Sequence, residues 1–174
     1  MRKKLCGGIL ALLALPLAAQ YPPTTKNAAT PALQAEAQHH AFLQAEREAI
    51  EKGEGFGMAM AADMNGYPGP KHVLDMKKEL KLTGTQEAAM QKLMASMKEK
   101  ALAKGKDVLQ AEQRLGEYFA QGKSEDELRE ETFRVASLRA ELRWVHLSTH
   151  VAAKKILTAQ QIAVYEKMRY GAGM

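Results

Sequence analysis

From Lys71 to Tyr170 the chain repeats its apolar residues at three- and four-residue intervals over two long spans, a rhythm that only an α-helix turns into one continuous face. In the first span the seam is Met90, Leu93, Met97, Ala101, Val108, Ala111, Leu115 and Phe119. In the second it is Leu128, Val135, Leu138, Leu142, Val145, Thr149, Ala152 and Ile156. Gly122 ends the first span, and Ser124-Glu125-Asp126-Glu127 has the form of a capping box that starts the next. The spacing predicts helices over 71–80, 84–121, from the capping box to about Leu157, and over 159–170, the last closed by Gly171. Two apolar stripes joined by a short turn pack as an antiparallel hairpin. Lys104 and Gly105 interrupt the first seam and predict a local bend there. The fold class is therefore all-α, in the order short, long, long, short, over residues 71–170.

The chain before residue 71 is of a different kind. Residues 31–52 are rich in Ala, Gln and Glu and predict a weak helix with a thin apolar face, capped by Thr30 with Pro31 at its first position. Residues 53–70 hold five glycines and two prolines and read as a loop or linker, so the folded core is expected to begin at about Lys71. Residues 20–30 read as a flexible tether. The whole N-terminal extension, 20–70, is expected to be disordered or weakly helical.

The first 19 residues have the layout of a cleavable signal peptide: Arg2, Lys3 and Lys4, an apolar stretch from Leu5 to about Leu17, then Ala18-Ala19. That stretch is shorter than the ~20 apolar residues of a membrane span. Export to the periplasm follows as the expected location, with an uncut anchor as the alternative. Cleavage removes Cys6, the one cysteine, so neither a disulfide nor a thiolate metal site is expected in the mature chain. It also takes the formal charge from +5 to +2, because Arg2, Lys3 and Lys4 leave with the leader. The basicity is thus largely an export signal, and no nucleic-acid partner or stable membrane insertion is expected.

Leu82-Thr83-Gly84-Thr85-Gln86 and Leu157-Thr158-Ala159-Gln160-Gln161 share the pattern Leu-Thr-x-x-Gln. Thr caps a helix and Gln three residues on bonds back to the cap's amide. Two such copies, each opening a helix in an exported helical chain, resemble the Spy/CpxP family of periplasmic stress proteins. The periplasmic metal-resistance proteins of the CnrX and ZraP kind are related to it. The resemblance covers about residues 70–170 through Leu82, Thr83, Gln86, Leu157, Thr158 and Gln161. It implies a four-helix hooked hairpin that forms a homodimer with a curved surface. It also implies one of three roles: an ATP-independent chaperone for unfolded periplasmic proteins, an adaptor to an envelope-stress sensor kinase, or a heavy-metal sensor or scavenger.

The second long helix carries a further apolar stripe roughly opposite its seam: Phe133, Ala140, Trp144, Leu147 and Val151. A helix in a simple hairpin needs one apolar face. The second is expected either to pack under the short helices or to serve as a dimer or client surface. Arg139 and Arg143 share a stripe with His146 and His150 and read as an attractor for acidic segments or as an ordinary solvated face. Nine methionines remain in the mature chain. Met90, Met94 and Met97 read as core filler or an adaptable client surface, and Met58, Met60 and Met64 resemble a methionine-type copper site.

His146 and His150 stand four apart, the spacing that lets two imidazoles share one metal ion, and His72 and Met76 repeat it. In the metal-sensing relatives the ligands come from these two regions, so His72, Met76, His146 and His150 form the expected set for zinc, nickel, cobalt or copper. No cofactor is required by the chaperone reading. Arg139 and Arg143 on the same stripe count against a divalent cation. The alternative is four solvated or hydrogen-bonded side chains, and the pair His39-His40 is assigned nothing. No phosphate loop, nucleophile elbow or His-Glu-x-x-His signature is present, so catalysis is not expected.

Overall fold

Three helices of this protein start with the same reciprocal bond. Thr83 Oγ1 accepts from Gln86 N (3.2 Å) while Gln86 Oε1 accepts from Thr83 N (3.1 Å). Thr158 and Gln161 do the same at 3.2 and 2.9 Å. Ser124 and Glu127 follow at 3.4 and 3.0 Å. Each box satisfies two amides that a bare helix end leaves unpaired. The computed structural model describes residues 30–171; the leader, its cleavage point and the tether up to residue 29 lie outside the described residues.

Six helices make up the described chain: α1 (Pro31–Glu51), α2 (Met60–Asp63), α3 (Pro70–Asp75), α4 (Gly84–Ala120), α5 (Glu125–Ile156) and α6 (Ala159–Tyr170). No strand occurs among the described residues, and none of the helices is long and apolar enough to cross a membrane. Among the described residues, 30–38 belong to one unit and the helical body belongs to another that begins at His39. At the start of α1, Leu33 N donates to Thr30 Oγ1 at 3.4 Å, the expected cap.

The body is the expected hairpin of α4 and α5. Two clusters of buried side chains hold it. Val73, Leu80, Met90, Ala153, Leu157 and Tyr165 form one, with Leu82 and Ile162 packed against it. Ile50, Ala101, Val108 and Leu142 form the other. Fully burying side chains the size of Met90 or Leu142 stabilises by about 1.5–3 kcal/mol each. Met90 shares a cluster with Ala153, and Ala101 shares one with Leu142. This antiparallel register matters for the site below.

Two expectations are corrected. The short helix over 71–80 ends at Asp75, and 76–81 continue as turns that close with Lys81 at φ 50°. The folded body begins well before Lys71: Ala49 and Ile50 are buried, and so are Gly53, Gly66, Pro68, Gly69 and Pro70. The physical reason is Gly105. A Cβ there would lie 2.8 Å from Ile50 Cγ2 and 2.9 Å from Ile50 O, so only glycine lets the end of α1 dock on α4. The interruption at Lys104 and Gly105 serves as a docking notch within the one continuous helix α4.

Candidate functional site

α5 works on two faces. Its inner face buries Leu142, His146, Thr149, His150 and Ala153. On its outer face Phe133 is 69% exposed and Trp144 61% exposed, with Ala140 exposed between them and Leu147 and Val151 half-buried. The packing of Trp144 under the short helices, one of the two expectations, does not occur. A helix that spends its 100°-wide seam on α4 has no partner left for the opposite side.

The arginines on the histidine side of α5 are not both free. Arg139 Nε donates to Glu112 Oε1 (2.6 Å) and its Nη1 to Glu46 Oε1 (3.0 Å), tying α5 to α4 and α1. Arg143 Nε donates to the Met58 carbonyl (3.2 Å) and keeps its charge exposed. Of the pair expected to attract acidic segments, only Arg143 remains to do so. The carboxylates of Glu46 and Glu112 also weaken the objection that Arg139 repels a cation nearby.

Behind α5, the 53–70 segment folds over the histidines and borders a half-open cavity of about 660 Å³. His72, His146, His150, Met60, Met94 and Met97 line it. Two glycines make room for the rings. A Cβ at Gly55 would lie 3.2 Å from His146 Nδ1, and one at Gly69 would lie 2.8 Å from His150 Cε1 and Nε2. His150 Nδ1 donates to the Tyr67 carbonyl at 2.7 Å. A carbonyl only accepts, so Nδ1 carries a proton, and in the neutral ring that leaves the lone pair on Nε2.

His146 is 3% exposed, and its Nε2 is buried with no hydrogen-bond partner. Leaving such a group unpaired costs about 1–3 kcal/mol. Burial, with the neighbouring His150 adding to it, pushes its pKa down and keeps the ring neutral. His72 is also pushed down, by burial first and then by Arg169, although its Nδ1 lies 3.9 Å from Asp63 Oδ2. The ion-pair distance and the downward shift disagree. The shift prevails, because Asp63 is already taken: Tyr165 Oη donates to it at 2.6 Å and Arg169 Nη2 at 2.9 Å. Burial alone would raise Asp63; the bonds from Tyr165, Tyr170 and Arg169 outweigh it and hold the carboxyl below its ordinary value.

The expected ligand set His72, Met76, His146 and His150 is divided. The three histidines reach one cavity, but Met76 packs against the cluster around Val73 and Leu80. The methionine triplet is divided too: Met58 packs on the Ile50 cluster, Met60 lines the cavity and Met64 is half-exposed elsewhere. Among the described residues no group of three His, Cys, Asp or Glu side chains stands close enough to hold a metal ion.

No family model, curated protein or solved structure matches this chain. The functional reading accordingly rests on the residues and their placement.

Met94, Met97, Gly55, Gly69 and Tyr67 belong to the site without having been singled out for it by spacing. Met94 and Met97 follow the α4 seam, as core residues do. The signal for the rest was the glycine-rich composition of 53–70, which marks close backbone approach as readily as a free loop.

Proposed function

We propose that the chain is an exported periplasmic protein of the Spy/CpxP kind that holds unfolded polypeptide, or a sensor-kinase domain, on the outer face of α5. The observation that carries the reading is the exposure of Phe133 and Trp144 on one face of α5. Large aromatic side chains kept in water at such a cost usually mark a binding surface. Shielding apolar segments there needs no nucleotide, no cofactor and no covalent step. Arg143 adds attraction for acidic segments at the rim. The reading includes a homodimer and, through the leader, export. Purified protein at near-stoichiometric ratio is expected to suppress aggregation of several unfolding clients, and Phe133→Ala/Trp144→Ala to abolish the effect without loss of helix content. Absence of suppression by the wild type removes the reading.

A second reading is metal sensing or scavenging, and the unpartnered His146 beside His150 favours it. An imidazole nitrogen kept neutral and unpaired is suited to a metal ion. Calorimetry with zinc, nickel, cobalt and copper salts tests it, with His146→Ala and His150→Ala expected to abolish binding.

A further inference from the structure

The cavity behind α5 has a donor set that narrows the choice of ion. The antiparallel α4–α5 register, in which Met90 shares a cluster with Ala153 and Ala101 shares one with Leu142, sets Met97 about level with His146. Met94 and Met97, three apart, share a face of α4, as His146 and His150, four apart, share a face of α5. All four line the same cavity. We propose that it binds one soft monovalent metal ion, copper(I) or silver(I), through the imidazoles of His146 and His150 and the thioethers of Met94 and Met97. The proposal rests on the metal reading above and changes both its ligands and its ion.

Three features favour a soft monovalent ion over a divalent one. The first is hardness: with two imidazoles and two thioethers, and no group of three His, Cys, Asp or Glu among the described residues, the donors suit copper(I) better than zinc or nickel. The second is charge. Lys52, Lys71 and Lys98 line the cavity together with Glu54 and Asp63, and Asp63 is already held by Tyr165 and Arg169. A single positive charge meets half the repulsion that a double one does. The third is preparation. His150 Nδ1–H on the Tyr67 carbonyl fixes the tautomer whose Nε2 is free to coordinate, the arrangement that orients metal-bound histidines generally. His146, almost wholly buried, brings a nitrogen that has no other partner.

Silver(I), which does not change oxidation state in air, is the probe. It is titrated into the full chain carrying Cys6→Ser in every arm, since that thiol would otherwise compete. The expected result is one tight ion per chain, with the ε-methyl NMR signals of Met94 and Met97 shifting on addition. Met94→Leu/Met97→Leu, which preserves volume and fold, weakens silver binding by about tenfold or more because thioether ligation is lost. Unmoved methyl signals, or a double variant that binds silver as tightly as its parent, overturn the proposal. Tighter binding of zinc or nickel, abolished by His146→Ala, also overturns it but leaves the metal reading standing. If no metal binds at all, both fall.

Discussion

Gln86 and Gln161, 75 residues apart, exchange a reciprocal pair of side-chain hydrogen bonds at 2.9 and 3.0 Å. Each amide also donates to a backbone carbonyl from the other half of the chain, Gln86 to Ile156 (3.0 Å) and Gln161 to Leu80 (3.1 Å). Each oxygen meanwhile accepts from its own capping threonine. Every donor in the pair is used. The repeated motif is thus one joint made of two matching halves, tying the start of α4 to the start of α6.

That joint predicts non-additive energetics. Gln86→Ala and Gln161→Ala each strand a partly buried amide and cost about 1–3 kcal/mol. The double variant costs less than the two losses combined, with a coupling of about 0.5–3 kcal/mol. Urea unfolding of the four proteins measures it. Additive losses would show that the two motifs cap their helices independently.

Two glycines of α4 should respond to alanine with opposite signs. Gly116 has nothing within 4 Å of an added Cβ, so Gly116→Ala stabilises by about 0.5–1 kcal/mol, the ordinary helix preference. Gly105→Ala drives a methyl into Ile50 and destabilises by about 1–3 kcal/mol. Thermal unfolding reads both. Stabilisation at both sites would mean that the end of α1 does not dock on α4.

The α5 cap predicts an acid response. Bonds from Ser124 and Lys123 bring Glu127 down from an ordinary 4.5 to about 2. A carboxyl lowered on folding contributes stability that is complete above pH 4.5 and lost as the pH falls through 2. Glu127→Gln should therefore flatten the fall in stability between those values while lowering stability near neutrality. Parallel unfolding curves for variant and parent across that range would contradict the cap.

Helix class, order and caps were legible in the sequence because they depend on near neighbours: a three- and four-residue rhythm, and a hydroxyl three residues from an amide. The 53–70 segment was not. Its glycines permit a loose loop, and only the opposing rings of His146 and His150 turn that permission into a packed cover. Arg139 misled for a similar reason. Its face on α5 is plain from spacing, but Glu46 and Glu112 reach it from other helices. The outer stripe of Phe133 and Trp144 was legible as a pattern; whether another helix covered it was decided by the packing.

Trp144 is the chain's one tryptophan, so its fluorescence tests the binding-face account directly. Free protein should emit as a water-exposed indole and be readily quenched by acrylamide. Adding an equimolar, tryptophan-free unfolded client should shift the emission to the blue and protect it from the quencher. Emission that is already blue and protected in the free protein, or that ignores a client whose aggregation is being suppressed, would contradict the assignment of this face.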